Sequence, residues 1–214
     1  MLLPISLFMV FPCEAAAVWS DNFNDKSYDG WTEISGIFSA EENTLKTPFK
    51  ALNMISHPST VATGTWSFDI YIPSGRLGQI HFVGVLGKTY DLHVGTEFID
   101  LYKIMDGSLT TMLASYGAYS FSGWQHIDIT RDEDGKICVY KNGRLVIDVI
   151  DTSITTSEYF LFVTGSPEME LDNIVVRNTV EPPQTPFYLL LLPATIGIAL
   201  ILLIAAVTYL DLKK

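Results

Sequence analysis

Residues 18–177 predict an all-β protein, an antiparallel sandwich, and three observations carry the prediction. Apolar and polar residues alternate over short runs, turn dipeptides recur between the runs, and almost no stretch repeats at the 3.6-residue period of a helix. TWSFDIYI (65–72) shows the alternation best. Trp66, Phe68, Ile70 and Ile72 fall on one face, and Thr65, Ser67, Asp69 and Tyr71 on the other.

Taken in order, the chain opens MLLPISLFMVFPCEAAAVWS, apolar from Leu2 to Phe11 and then reaching Ala15-Ala16-Ala17. An apolar run followed by small residues is the secretory pattern, so residues 1–17 are expected to be a signal peptide cleaved after Ala17. Its first residues carry no Lys or Arg, which departs from that pattern. Pro4, Pro12 and Glu14 leave too short an apolar length for an uncleaved anchor. Phe11 and Pro12 stand where a lipoprotein signal has small residues, so Cys13 leaves with the peptide.

Strands follow. QIHFVGVL and TYDLHV flank Gly87-Lys88 and read as a hairpin with a Gly-first turn. With Leu86 paired to Thr89, His81 faces Val94 and Phe82 faces His93, which places the two histidines on opposite faces of the sheet. In QHIDITR, Ile127 and Ile129 point one way and His126, Asp128 and Thr130 the other. KICVYK and RLVIDV flank Asn142-Gly143, a strong hairpin signal. YFLFV and ELDNIVV close the series, and Asp-Gly pairs at 106–107 and 134–135 mark further turns. About a dozen strands at this spacing predict a sandwich.

Beyond them NTVEPPQTP (178–186) is a Pro-rich, semi-rigid stalk. Residues 187–210 carry no charge and are apolar all round, unlike a helix that packs one face on a core. At 1.5 Å per residue they reach about 36 Å, enough to cross a hydrocarbon layer of about 30 Å. Tyr188 and Tyr209 stand at the two ends as interfacial anchors, and Pro193 is tolerated in a bilayer helix. Lys213 and Lys214 place the tail, 211–214, in the cytoplasm. The tail ends in Asp-Leu-Lys-Lys rather than within the apolar run, which favours a permanent span over a processed lipid-anchor signal. The expected location is the cell membrane, single-pass, with the N-terminal domain outside.

The net charge is −11, and setting aside the two tail lysines with Glu14 and Asp211 leaves it unchanged. That excludes a nucleic-acid partner, which needs a basic surface, and disfavours docking on anionic headgroups. Once the leader is removed Cys138 is the remaining cysteine, so no intrachain disulfide can form and the fold relies on its core. There is no Asn-x-Ser/Thr sequon.

DNFNDKSYDGWTEISGIFSAEENTLK (21–46), GWQHIDITRDEDGKICVYKNGRLV (123–146) and ELDNIVV (170–176) together resemble concanavalin A-like, laminin-G-like jelly-roll domains. The first is similar to the family's opening strand with its Gly-Trp, the second to its Gly-Trp-x-His, Thr-Arg and Tyr-x-Asn-Gly run, and the third to its closing strand. The resemblance implies an antiparallel jelly-roll β-sandwich over 18–177. It fixes no activity, because this fold hosts lectins, glycoside hydrolases, adhesion modules and structural domains.

The chemistry is sparse. In GTEFIDLYK, Glu97 and Asp100 are three apart, so a strand sends them to opposite faces, whereas a glycosidase needs both carboxyls facing the sugar. Glucanases of the resembled fold carry Glu-x-Asp-x-x-Glu, and this sequence has Glu-x-x-Asp followed by Lys103. No catalytic residue is assigned. His57, His81, His93 and His126 lack metal-ligand spacing, and no Gly-x-Ser-x-Gly elbow is present. Cys138 sits mid-strand as a packed thiol. A structural calcium ion, which jelly rolls often hold, has Asp21, Asp25 and Asp172 as its candidate ligands, each with a turn or edge role as the alternative; Asp132-Glu133-Asp134-Gly135 reads as a charged hairpin tip. A sugar platform would draw on Tyr71, Tyr90, Tyr102, Tyr116, Tyr119 and Trp124, without the sequence telling exposed from buried.

The expected function is therefore a membrane-anchored, outward-facing binding module that recognises a glycan or a surface protein, and not an enzyme. An architectural subunit of an envelope layer or membrane complex is the alternative, and a divergent glycoside-active enzyme the third reading.

Overall fold

The computed structural model describes residues 16–48, 51–107, 109–117, 122–166 and 168–181. Most of the expected signal peptide, the end of the stalk, the apolar segment 187–210 and the tail lie outside them. Among the described residues no helix is long and apolar enough to cross a membrane.

Fourteen strands form: β1 (Trp19–Asp21), β2 (Thr32–Ser35), β3 (Leu45–Lys46), β4 (Asn53–Pro58), β5 (Gly64–Ile72), β6 (Leu77–Val85), β7 (Lys88–Gly95), β8 (Phe98–Met105), β9 (Leu109–Gly117), β10 (Gly123–Arg131), β11 (Lys136–Lys141), β12 (Arg144–Ile150), β13 (Tyr159–Thr164) and β14 (Glu170–Arg177). They make two antiparallel sheets. The first runs β1-β14-β5-β10-β11-β12, with β3 beside β14; the second runs β2-β4-β13-β6-β7-β8-β9. The edge strands β9 and β12 approach each other across the layers. The expected all-β sandwich is present.

Alternation builds the interior. Trp66, Phe68, Ile70 and Ile72 of β5 are fully buried and meet Phe82, Leu92, Phe160 and Phe162 of the second sheet. Each such side chain contributes roughly 1.5–3 kcal/mol by leaving water. Trp66 packs edge-on to Phe82, with ring centroids 5.2 Å apart.

The hairpin at Asn142-Gly143 forms as expected: Lys141 pairs with Arg144, and both turn residues have positive φ. The β6–β7 hairpin does not. Its turn is Leu86-Gly87, with Val85 paired to Lys88 and Gly84 to Thr89. An irregularity between His81 and Val83 then shifts the register, so that His81 pairs with Asp91 and Gln79 with His93. The expectation that His81 and His93 lie on opposite faces is corrected: a bulge adds one residue, and one residue flips a strand's side chains. Phe82 and Val83 are both buried there, so the apolar run hides the bulge.

A network ties the residue after β12, Asp151, to β7 and β8 of the second sheet. Tyr90 Oη donates to Asp151 Oδ1 (2.6 Å), and Lys103 Nζ donates to Asp151 Oδ2 (2.5 Å). Burial opposes the charge, yet the bonds from Lys103 and Tyr90 hold the Asp151 carboxyl down at about 2. After β14 the chain stays attached: Thr65 Oγ1 donates to the Thr179 carbonyl and accepts from the Glu181 amide. The first part of the expected stalk is thus fixed to the sandwich.

Candidate functional site

The face of the second sheet turned away from the first sheet carries the most chemistry. Register places its side chains in rungs. One rung runs Val163, Gln79, His93, Asp100, Ser115, and the next Leu161, His81, Asp91, Tyr102, Met112. Two irregularities, at His81/Val83 and at Leu101/Tyr102, bring the second rung onto the same face.

Hydrogen bonds hold these groups in pairs. His93 Nε2 donates to Asp91 Oδ2 (2.7 Å), while Ser115 Oγ and Tyr102 Oη donate to the two oxygens of Asp100 (2.6 and 3.3 Å). The His93 and Tyr102 rings lie 4.5 Å apart. Asp91 is 3% exposed and Asp100 9%.

Two buried atoms of the second rung have no hydrogen-bond partner: His81 Nδ1 and Asp91 Oδ1. His81 Nε2 stands 3.6 Å from Asp91 Oδ1, beyond hydrogen-bond range. A buried polar atom left unpaired costs about 1–3 kcal/mol, and both atoms lie sealed beneath the surface of the row. Burial pushes the His81 imidazole below its ordinary value, Asp91 opposing and His93 reinforcing, so His81 is neutral at pH 7.

Aromatic rings bracket the polar rungs. A Cβ on Gly95 would meet the Phe98 ring at 2.8 Å, and one on Gly84 would meet the Tyr159 ring at 2.6 Å. Both rings therefore lie over strand glycines, flat enough to occupy the space a side chain would take. They stand three rungs apart, which is roughly 20 Å at about 3.3 Å per residue. A row of acceptors and donors between ring surfaces can hold a polyhydroxylated molecule.

The outer face of the first sheet carries a second cluster. His126 Nδ1 donates to Asp69 Oδ1 (2.6 Å), and Nε2 faces Asp128 Oδ1 at 3.3 Å. Ser67 Oγ donates to Asp128 (2.7 Å) and Asn173 Nδ2 to Asp69 Oδ2 (2.9 Å). The carboxylates of Asp128 and Asp69 raise the His126 imidazole to about 10 despite burial. At one end of this face Trp124, 45% exposed, packs edge-on to Tyr71.

The remaining sequence candidates are dispersed. Glu97 is exposed in the bend before β8 while Asp100 is buried. Asp21 and Asp25 line one recess with Asn173, beside Asp172 on β14. Asp21 accepts from the Phe23 amide and Trp31 Nε1, Asp25 from the Ser27 amide, and Asp172 from the Asn173 amide. Among the described residues no group of three or more His, Cys, Asp or Glu is arranged to hold a metal. His57 stacks on Trp19, 4.1 Å between centroids. Tyr90 is core, Tyr116 packs against the core, and Tyr119 lies outside the described residues. Cys138 is buried, and burial raises its thiol. Gln79, Asp91, Phe98, Ser115 and Tyr159 belong to the site and were not singled out from the sequence. Their signal was two strand glycines, which mark a close approach but not by what.

No protein-family model matches the sequence, and no curated protein matches it. Solved structures do match the fold. A protein of unknown function with a galectin-like fold from Bacillus subtilis superposes with a TM-score of 0.64 at 14% identity, covering 78% of this chain and 97% of that one. The carbohydrate-binding module CBM66 from Bacillus subtilis gives 0.56 at 18% identity, over 72% and 96%. The apo Crh5 transglycosylase gives 0.56 at 13%, over 78% and 86%. At these identities the likeness shows the fold alone, a two-sheet antiparallel jelly-roll β-sandwich.

Proposed function

We propose that this chain is a membrane-anchored, outward-facing glycan-binding module whose binding surface is the outer face of the second sheet. One observation carries the reading: the polar atoms of Gln79, His93, Tyr102 and the exposed Ser115 share one face in a row bracketed by the Phe98 and Tyr159 rings. Sugar hydroxyls both donate and accept, so they satisfy such atoms, and C–H-rich sugar faces lie against aromatic rings. A carbohydrate-binding module among the structural neighbours supports the class. The apolar run 187–210 and the leader pattern 1–17 support the anchorage and orientation.

The test is a glycan array probed with the full-length chain in detergent micelles, beside its Tyr102→Ala variant. Saturable binding to a saccharide, weakened roughly tenfold in the variant, is the expected result. Absence of any glycan binding, with stable co-purification of membrane partners, would replace this reading with the architectural one. Cleaved or rejoined oligosaccharides in the eluate would replace it with the glycoside-active one. Epitope tags at residue 18 and after Lys214 check topology: only the first should be reached by antibody on intact cells.

A further inference from the structure

The two ends of the sandwich stand at different distances from the apolar segment 187–210, on whose proposed anchorage this inference rests. One end gathers the β6–β7 and β8–β9 turns, the loops after β4, β10 and β12, and the residues after β14. Hydrogen bonds join these pieces. The Gly107 amide donates to the Gly87 carbonyl, Glu158 to Gly84, Ser59 to Glu158 and Asp151 to Gly135, while Arg131 Nη1 reaches the Ala62 carbonyl. Thr179 and Glu181 are fixed to Thr65 at this end. From Glu181 to Phe187 the chain takes only six steps, a reach of about 20 Å at most. The opposite end, at the Pro73–Arg76 turn, lies beyond the nine residues of β5, a further distance of about 30 Å.

The end near the tether also carries an apolar tip. Leu86, in the β6–β7 turn, is 95% exposed, the most exposed large apolar side chain among the described residues. That turn position suits a polar residue, and at this exposure the leucine contributes nothing to packing. Half-exposed Val18 and Val180 belong to the same end. Its exposed carboxylates, among them Asp106, Glu133, Asp134 and Glu158, keep it off anionic headgroups.

We propose that this end of the sandwich rests on the bilayer that holds residues 187–210, with Leu86 entering the headgroup layer of zwitterionic lipid. The tether makes the contact intramolecular, so a single leucine is enough to set the orientation. Removing its side chain from water favours the docked pose by roughly tenfold or more. In that pose the strands rise from the membrane and the outer face of the second sheet opens sideways. Tyr159, over Gly84, then lies on the bilayer side of the recognition row, and Phe98, over Gly95, on the far side.

The experiment places the full-length chain in phosphatidylcholine vesicles. A fluorescent noncanonical residue replaces Lys88, beside the Leu86 turn, or Arg76 at the opposite end; both side chains are exposed, so the fold is kept. Nitroxide-bearing lipids should quench the probe at 88 severalfold more than the probe at 76. Leu86→Ser should remove most of that difference. Equal quenching at the two positions, or quenching at 88 unmoved by Leu86→Ser, overturns the docking and leaves the anchorage standing. A chain that fails to float with the vesicles overturns both.

Discussion

The two outer faces carry histidine–carboxylate clusters of opposite composition. On the first sheet one imidazole lies between two carboxylates, and Ser67 and Asn173 complete the set. On the second sheet one carboxylate lies between two imidazoles, and an atom of each of two residues is left over. The first network is closed. Its imidazole and both carboxylates are hydrogen-bonded, which is what a structural cross-brace over β5, β10 and β14 requires. The second is open: His81 Nδ1 and Asp91 Oδ1 are buried without a hydrogen bond, which costs stability. The difference makes the first face a cross-brace and leaves the second as the face proposed for recognition.

Removing a carboxylate from each face tests that assignment most strongly. Asp69→Ala deletes the acceptor of both His126 and Asn173, so chemical denaturation should show a loss of about 2 kcal/mol. Asp100→Ala frees Ser115 and Tyr102, which reach water, so it should cost about 1 kcal/mol or less while weakening glycan binding. Equal stability losses, or a binding defect in Asp69→Ala alone, would reverse the assignment.

Protonation gives a smaller contrast of opposite sign. His126 is raised from 6.5 to about 10, so its stabilisation is complete below the unfolded value and fades as pH rises through about 10. His81 is lowered by burial, so its contribution is complete above 6.5 and is lost as pH falls through its depressed folded value. Denaturation midpoints across pH 4–10.5 should therefore flatten on the alkaline side in His126→Gln and on the acid side in His81→Gln. If His126→Gln leaves the alkaline limb unchanged, the two-carboxylate clamp is not formed in solution.

The first cluster was half legible in the sequence. Alternation in QHIDITR and TWSFDIYI places His126, Asp128, Ser67 and Asp69 on outward faces, and what it cannot give is that β5 and β10 are neighbours. The second was misread because FVGV is apolar throughout. With Phe82 and Val83 both buried, nothing in the period marks the added residue, and the register slips by one. Gly84 and Gly95 were the available hints, yet the rings that cover them come from β13 and from β8 beyond a bend. Long-range pairing, invisible to local pattern, decides both.

The smallest effect separates ring from hydroxyl at the centre of the open cluster. Tyr102 offers the His93-facing ring and a long bond to Asp100, 3.3 Å. A bond of that length to a carboxylate that Ser115 already serves at 2.6 Å adds little. Tyr102→Phe should thus shift stability by no more than about 0.5 kcal/mol and keep most of the glycan affinity that Tyr102→Ala loses. The phenylalanine ring preserves the apolar surface and the packing on His93, so what remains in binding measures the ring and what disappears measures the hydroxyl. An affinity loss in Tyr102→Phe as large as in Tyr102→Ala would transfer recognition from stacking to the Asp100 hydrogen-bond network, and the open face would then act through its polar atoms alone.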